Sequence, residues 1–514
     1  MVGISDNPHK KSLRTDLKHI LKPLSACLLG ILTVPGFAPF YFYPLPLLTL
    51  MLLGILLRKS VNPLQAALIS FSFAMGLFGV GVSWLYISLH DFGSMPMPLA
   101  IIALILLCIY LSLFPGLAAG IASFTALRKP LIWPWMIAAL WTLSEWLRGV
   151  LFTGFPWLAV GYSQAPAGPL AGFASMVGVY GVSFLLVLTA SGFACWQEQW
   201  RNWKFGVLLI AVWLAGWGLQ QISWVTPSGE PVRVSLLQGN ISQDLKWRSD
   251  HTLTSLQTYT ELIQASSSQL IITPEISFPL FREELPALYW SILGDHARSN
   301  QGDVLIGMAE RRNTNGEYYN TMFSLGSSPE QAYRKHHLVP FGEYIPLKQV
   351  FGRIIEVLKI PLSDFSRGSK DQRPMQLAGK QVAINICYED VFGEEIISQL
   401  PEAELLVNVS NDAWFGRSIG PWQHLQISQM RAQETGRYML RATNTGVTAI
   451  INERGRVLQT LEMFATDGLH GWVQGFSGAT PYVLYGNKPI LGLIGLLLLA
   501  GSIIIVFSAS RKTL

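Results

Sequence analysis

At 514 residues the chain is long enough for two or three domains, but 50% of it is hydrophobic and only 13% is charged. This composition is typical of a membrane protein. The formal net charge of +5 gives no basis for nucleic-acid binding, because no basic patch with interleaved aromatic residues lies in the polar part of the chain.

Eight apolar segments of spanning length follow one another along the chain. They cover residues 24–40, 41–57, 63–89, 97–127, 131–147, 171–196, 205–224 and 489–507. The first two are short and share a turn at Pro35 and Pro39, so we interpret them as a helical hairpin. A signal peptide over residues 10–40 is the weaker interpretation, because no small-residue cleavage site precedes a soluble domain and apolar segments simply continue.

The positions of the cations predict the orientation, since Lys and Arg in short loops stay on the cytoplasmic side. Cations stand before the first apolar segment and after the second, fourth, sixth and eighth: Lys10, Lys11, Arg14, Lys18, Lys22, Arg58, Lys59, Arg128, Lys129, Arg201, Lys204, Arg511 and Lys512. Eight crossings with both termini in the cytoplasm satisfy every loop. The sequence therefore predicts a membrane domain of seven helices over residues 1–224, an extracytoplasmic domain over 225–486, and a final span with a cytoplasmic tail over 487–514.

The polar segment alternates strand and helix patterns, which predicts one large α/β domain with its own core. Candidate strands cover residues 232–237, 269–273, 303–308, 319–325, 331–338, 381–386, 404–409 and 447–451, and candidate helices cover 253–266, 285–299 and 421–441. Two of these strands end close to Glu275 and Cys387. Groups at the carboxyl ends of strands line the crevice of open α/β sheets, so we expect these side chains to converge.

Cys387 is the only cysteine outside the apolar segments, where Cys27, Cys108 and Cys195 lie. A lone thiol is a packing residue or a reactive group, and taken alone it favours packing. No disulfide framework can be built from this set.

A thiol becomes an effective nucleophile where a base accepts its proton and a cation stabilises the thiolate. Glu275 could be that base and Lys335, at the tip of a candidate strand, that cation. Lys335 and the backbone N–H of Tyr388 could then bind the oxyanion of a tetrahedral intermediate. The reaction that these groups permit is acyl transfer through a thioester.

The motifs around these residues resemble a known family. Glu275, then Lys335 before His-Leu-Val-Pro-Phe-Gly-Glu343, then Ile-Cys387-Tyr-Glu resembles the Glu-Lys-Cys nitrilase superfamily. Its membrane-bound branch, the apolipoprotein N-acyltransferases, is similar to this chain in further motifs: Ser144-Glu-Trp-Leu-Arg-Gly149, Phe152-Thr-Gly-Phe-Pro-Trp157, Gln238-Gly-Asn-Ile-Ser-Gln-Asp-Leu-Lys-Trp247, Ser410-Asn-Asp-Ala-Trp-Phe-Gly416 and Gly420-Pro-Trp-Gln-His424.

The resemblance implies an αββα sandwich domain joined to a polytopic helical membrane domain in the bacterial inner membrane, with the catalytic domain on the periplasmic side. It also implies the last step of lipoprotein maturation. An acyl chain passes from a phospholipid, usually phosphatidylethanolamine, to the enzyme thiol and then to the α-amine of a diacylglyceryl-cysteine apolipoprotein. No cofactor is expected, because thioester exchange conserves the acyl energy.

The resemblance implies that Cys387 is the nucleophile, Glu275 the general base and Lys335 the stabiliser of the thiolate and the oxyanion. It assigns supporting and substrate-positioning roles to four more residues: Glu343, Trp247, Tyr388 and Glu389. Thr273 departs from the family pattern, in which an aromatic residue is frequent before the Pro-Glu pair, and this affects only the expected local packing.

Two other functions stay open. A membrane-anchored amidase or thioester hydrolase would use the same triad with water as the second nucleophile, and a lipid-binding protein would keep the fold without catalysis. Glu145 and Arg148 are either an ion pair at the end of a span or a lipid-headgroup site. His336 and His337 favour no metal site, since adjacent strand residues face opposite ways and no Cys/His cluster accompanies them.

Overall fold

The computed structural model describes residues 8–124, 127–196, 203–243, 249–312, 316–345 and 364–510. Helices form the N-terminal part and the C-terminal end, and two β-sheets flanked by helices form the part between them. The longer helices are α1 (Pro8–Thr33), α2 (Pro44–Arg58), α3 (Pro63–Gly81), α4 (Met97–Ala122), α5 (Trp133–Arg148), α6 (Ala174–Ala194), α7 (Trp203–Leu219), α8 (Ser249–Ala265), α9 (Ala287–Ser299), α10 (Gly420–Thr435) and α11 (Lys488–Ser510).

Each of the eight predicted apolar segments contains a helix, namely α1 to α7 and α11. Four helical stretches are long and apolar enough to cross a membrane: Pro63–Gly81, Met97–Ala122, Pro169–Ala194 and Lys488–Phe507. Shorter apolar helices cover Leu21–Gly36, Pro44–Arg58 and Trp203–Leu219. The helical part is therefore that of a membrane protein, and the number of eight crossings stays a prediction.

Helices α1 and α3 approach each other closely through a pair of glycines. A Cβ on Gly30 of α1 would collide with the carbonyl oxygen of Phe73, and a Cβ on Gly76 of α3 would collide with the carbonyl oxygen of Cys27. Small residues let helix backbones pack at this distance inside a membrane, where lipid tails remove the hydrophobic driving force for association.

The polar segment forms two sheets. Their strands are β1 (Val225–Gln238), β2 (Leu270–Ile272), β3 (Phe278–Phe281), β4 (Asp303–Arg312), β5 (Glu317–Gly326), β6 (Ala332–Arg334), β7 (Met375–Leu377), β8 (Lys380–Ile386), β9 (Leu405–Ser410), β10 (Tyr438–Thr443), β11 (Ala449–Ile451), β12 (Val457–Thr460) and β13 (Asp467–Gly478). The first sheet has the order β13-β1-β2-β4-β5-β6, with β3 also paired to β4, and the second has the order β12-β11-β10-β9-β8-β7.

The two sheets pack face to face. Leu270 and Ile272 of β2 belong to one buried cluster with Val382 and Ile384 of β8. Ile271, between the two β2 residues, instead packs beneath α8 and α9. The outer face of the second sheet packs on α10. This period-two alternation builds four layers in the order helix, sheet, sheet, helix, as the resemblance implies.

The predicted helix over residues 421–441 is wrong in its last six residues. The helix ends at Thr435, because Gly436 adopts a left-handed conformation with φ +67°. The chain then forms β10, which is buried between β9 and β11. Strands β3, β7, β12 and β13 were also not predicted from the sequence. Strand β13 carries four glycines, so its composition does not favour a strand, and its pairing with β1 overrides that preference.

Candidate active site

Strand ends of both sheets bring the predicted residues to one place. Glu275 follows β2, Lys335 follows β6 and Cys387 follows β8, while Asn411 follows β9. Strands β8, β9 and β10 run parallel, so their carboxyl ends meet at the same edge. The predicted convergence of Glu275 and Cys387 at this edge is present in the structure.

Lys335 links two carboxylates. Its ammonium donates hydrogen bonds to Glu275 Oε1 at 3.0 Å and to Glu343 Oε1 at 2.9 Å, and the side chain is 1% exposed. Asn320 Nδ2 donates to the same two oxygens at 2.7 and 3.1 Å. The backbone N–H of Asn411 donates to the other oxygen, Glu275 Oε2, at 3.0 Å. Glu275 is therefore held on both oxygens.

The charges around the thiol oppose its ionisation in the resting site. Burial raises the pKa of the Cys387 thiol, Glu275 raises it further and Lys335 lowers it, and the pKa lies well above its ordinary value. Burial lowers the pKa of the Lys335 ammonium, but Glu275 and Glu343 more than offset this and hold it well above its usual range. The site thus combines a protonated thiol, a cation and two carboxylates.

Cys387 occupies a tight turn between β8 and a short helix, Cys387–Val391. Its φ of +54° lies in the left-handed region, which costs energy for a residue with a Cβ and is held by the surroundings. The carbonyl oxygen of Cys387 faces two donors, Asn408 Nδ2 and His424 Nε2, each at 3.2 Å. These contacts fix the backbone at the sulfur-bearing residue.

Glu389 ties the turn of Cys387 to the loop of Lys335. Its carboxylate accepts backbone N–H bonds from Ile386 at 2.7 Å, His336 at 2.6 Å and His337 at 3.1 Å. Tyr333 adds its hydroxyl at 3.1 Å. Burial raises the pKa of Glu389 to about 7, against the lowering effect of these backbone bonds and of Lys335. This carboxylate is a structural anchor between the Cys387 turn and the Lys335 loop.

A buried ionic network lies behind Cys387. Asp412 accepts from Arg441 Nη2 at 2.7 Å, and its Oδ1 lies 3.1 Å from His424 Nδ1. Although burial alone would raise it, Arg441 and His424 hold the pKa of Asp412 below its ordinary value. Both nitrogens of His424 face acceptors, because its Nε2 contacts the carbonyl of Cys387. Asp412 and Arg441 therefore orient His424 against the turn of Cys387.

Helix α10, which carries His424, also docks through glutamines on the segments that connect the membrane helices. Gln423 Oε1 accepts from the indole N–H groups of Trp84 at 3.1 Å and Trp157 at 2.7 Å. Gln426 accepts from the N–H of Ala38 at 3.0 Å. Gln429 and Gln433 continue the same side of the helix, at spacings of three and four residues. The backbone at Cys387 is thus connected to the membrane part through one helix.

Tyr388 connects the nucleophile turn directly to the membrane part. Its hydroxyl donates to the carbonyl oxygen of Gly154 at 2.9 Å, and Thr153 O lies 2.9 Å from His337 Nε2. His337 also stacks on Phe392 at 3.7 Å between ring centroids. The loop after α5 therefore packs against both the Cys387 turn and the Lys335 loop.

The structure places the remaining predicted residues as follows. Trp247 lies outside the described residues. Glu145 and Arg148 are both buried, and among their described contacts Arg148 donates to the carbonyl oxygens of Phe155 and Trp157 rather than to Glu145. The predicted direct ion pair is therefore not formed, and Glu145 Oε1 accepts from the N–H of Val160 instead. The headgroup role of this pair stays a prediction.

Several site residues had no assigned role in the sequence analysis: Asn320, Asn408, Asn411, Asp412, His424 and Arg441. Asp412 and His424 lie in motifs that carried the resemblance, which was the available signal. Asn320 and Asn408 lie inside buried strands and could not be distinguished from ordinary strand residues without the pairing of the sheets.

Two family models match the chain: the apolipoprotein N-acyltransferase N-terminal domain over residues 29–192 and carbon-nitrogen hydrolase over residues 233–469. An apolipoprotein N-acyltransferase from Nitrosomonas europaea is 67% identical over 491 residues, which cover 96% of this chain and 99% of that relative. The chain belongs to the apolipoprotein N-acyltransferase family. A second member, from Chromobacterium violaceum, is 41% identical over 97% of each chain.

The solved structures that were compared include a CN-hydrolase superfamily protein from Xanthomonas campestris, which is 16% identical to this chain. The match has a TM-score of 0.36 and covers 48% of this chain and 91% of the other. Membership in the apolipoprotein N-acyltransferase family rests on the sequence relatives. It confirms the family and the enzyme class that the motifs predicted.

Proposed function

We propose that the chain transfers a fatty acyl group from a phospholipid to the N-terminal α-amine of a diacylglyceryl-cysteine apolipoprotein, through a thioester on Cys387. The observation that carries this proposal is the cluster at the strand ends, in which Lys335 joins Glu275 and Glu343 beside the thiol. This arrangement supplies a nucleophile, a base and an electrophilic cation in one buried site, as acyl transfer requires.

Glu275 acts as the general base in both half-reactions. The sulfur of Cys387 attacks the ester carbonyl of the phospholipid while Glu275 accepts the thiol proton; the C–O bond then breaks, and the leaving lysophospholipid oxygen takes that proton. In the second half-reaction the amine attacks the thioester, Glu275 accepts a proton from nitrogen, and the departing sulfur takes it back. A thiol with a raised pKa needs such a base, because little thiolate is present before attack.

Lys335 stabilises the charge that develops in each tetrahedral intermediate. Its ammonium is fixed by Glu275 and Glu343, so it needs no reorganisation when the carbonyl oxygen becomes negative. The backbone N–H of Tyr388, just past the nucleophile, is the second donor. Glu343 positions Lys335, and Glu389 holds the two loops at their distance from each other.

The membrane arrangement completes the proposal. Eight crossings place residues 225–486 on the periplasmic side of the bacterial inner membrane, with residues 1–224 and 487–514 as the spanning parts. Both substrates are anchored in the same bilayer, so a catalytic domain docked on the membrane helices meets them without extracting either into water. Phosphatidylethanolamine is the proposed donor, and Trp247 a proposed substrate-positioning residue.

The test is acyl-enzyme formation by the full chain in detergent micelles, followed by intact mass spectrometry. We expect a mass increment of one acyl chain on Cys387 after incubation with phospholipid, and none in Cys387→Ala. Cys27→Ala, which removes a thiol in α1, is the matched control and should keep the increment.

Addition of a diacylated lipopeptide should then remove the acyl group and yield an amide. Release of free fatty acid in place of the amide would instead identify a hydrolase, and an unmodified Cys387 would contradict the thioester route.

A further inference from the structure

A cavity of about 340 Å³ lies at the seam between the membrane helices and the catalytic domain. One wall is the end of α7 with the segment before α6, and the other is the hairpin turn between β11 and β12. The cavity is distinct from the nucleophile site. Helix α10 runs from His424, beside Cys387, to Gln433, which lines the cavity, and nine residues of helix span about 14 Å.

Two arginines of the hairpin turn supply positive charge to the cavity. Arg454 and Arg456 line it and are exposed, and Arg454 also lies 3.5 Å from the carboxylate of Glu453. The turn is held without any ligand, because Asn452 Oδ1 accepts from the N–H groups of Arg454 and Arg456 at 3.1 and 2.9 Å. Guanidinium groups presented on an ordered turn suit a phosphate group.

Among the described residues, two buried polar atoms in the cavity wall have no hydrogen-bond partner. Trp224 Nε1 is an unused donor, and Gln433 Oε1 is an unused acceptor, although Gln433 Nε2 donates to Pro166 O at 3.0 Å. Such atoms cost free energy unless something outside the chain satisfies them. A ligand with acceptor oxygens and a donor group would serve both atoms, and the Glu453 carboxylate suits the same donor.

An apolar stripe leads along α7 to the cavity mouth. Ile210, Leu214 and Trp217 are each at least 60% exposed, and their spacing of four and three residues places them on one face of α7. Ile222, which lines the cavity, is half exposed beyond the end of that helix. An acyl chain against this stripe would have its headgroup at the cavity.

We propose that this cavity binds a phospholipid headgroup at a site separate from the acyl donor site. The phosphate lies between Arg454 and Arg456, and the amine or hydroxyl of the headgroup faces Glu453 and Gln433 Oε1. The bound lipid fastens the hairpin, which α10 already holds through the hydrogen bond from Gln429 Nε2 to Gly455 O at 2.9 Å. The site therefore stabilises the docking of the catalytic domain on the bilayer.

The test uses the full chain in phospholipid nanodiscs that contain a phospholipid with a photoreactive headgroup. Peptide mapping should locate cross-links on the hairpin 452–456. The Arg454→Ala/Arg456→Ala double variant removes both phosphate contacts, and the cross-linking yield should fall at least about tenfold, which corresponds to about 1.4 kcal/mol. Ala167→Phe fills the cavity mouth and should have the same effect without changing charge.

The matched control is Arg233→Ala/Arg373→Ala, which removes two exposed arginines outside the cavity and should leave the yield unchanged. Excess soluble glycerol phosphate should not displace the lipid, and acyl-enzyme formation on Cys387 should persist in both cavity variants. Undiminished cross-linking in those variants would overturn the proposal. Full displacement by glycerol phosphate would show a phosphate-ester site instead of a lipid site. Loss of acyl-enzyme to the level of Cys387→Ala would show that the cavity belongs to the donor path.

Discussion

Asn320 offers the sharpest test of how the charged cluster works. Its amide nitrogen donates to both Glu275 and Glu343, in parallel with Lys335. In Asn320→Ala, Lys335 still donates hydrogen bonds to both carboxylates. We therefore expect the activation free energy of acyl-enzyme formation to rise by only about 1.5–3 kcal/mol, because the carboxylates lose one donor that positions them. Acyl-enzyme formation should then slow by about 10- to 100-fold.

Asn320→Asp has nearly the same shape but exchanges the donor for a third carboxylate. Two like charges 3 Å apart repel by about 5 kcal/mol at an effective dielectric constant of about 20. One lysine cannot compensate three acids, so we expect this variant to be slower than Asn320→Ala. Asn300→Asp, at the end of α9, makes the same change outside the site and should react at the wild-type rate.

The assay is a single turnover in micelles, quenched at short times, with the acylated fraction read by intact mass. If Asn320→Asp formed acyl-enzyme within about threefold of the wild-type rate, the carboxylates would not act as one coupled cluster. The roles proposed for Glu275, Lys335 and Glu343 would then be wrong.

Two further predictions concern stability. The pKa of Glu389 is raised to about 7, so the folded chain binds that proton more tightly than the unfolded chain. Through this group, the free energy of unfolding should fall by about 3 kcal/mol between pH 4.5 and 8. In denaturant titrations, Glu389→Gln should reduce this dependence of the unfolding free energy on pH. Gln423→Leu leaves the buried indole N–H groups of Trp84 and Trp157 without their acceptor, which destabilises the fold by about 1–3 kcal/mol for each group. This variant should lower the midpoint of thermal unfolding, whereas Gln376→Leu, at an exposed position, should not. An unchanged midpoint in Gln423→Leu would contradict the docking role of α10.

Local patterns were sufficient for much of the fold. The apolar segments, the main strands and the ends at Glu275 and Cys387 follow from hydrophobic periodicity, which is a property of neighbouring residues. Strand β10 was missed because its apolar pattern continues that of α10, and only the left-handed Gly436 separates them. Strand β13 was missed because its stability comes from pairing with β1, far away in the sequence.

The site residues divide in the same way, into those that local sequence predicts and those whose position depends on strand pairing. The roles proposed for Cys387, Glu275 and Lys335 follow from their residue types and from the family motifs that contain them. Asn320 and Arg441 carry no such signal, because their importance depends on which strands lie side by side. The direct ion pair predicted between Glu145 and Arg148 is not formed for the same reason. The segment after α5 folds back, and its backbone groups are the hydrogen-bond partners of both side chains instead.

The burial of α10 limits how the molecule can be divided. Of its 16 residues, 14 are buried, and its glutamines accept hydrogen bonds from an amide and two indoles in the segments that connect the membrane helices. A fragment of the α/β domain excised without the membrane part would expose the buried glutamine face of α10 to water and would lose the hydrogen bond from Tyr388 to Gly154 beside Cys387. Chimaeras between relatives should therefore exchange both sides of this seam together, and a truncated, water-soluble enzyme is not a realistic reagent for inhibitor screening.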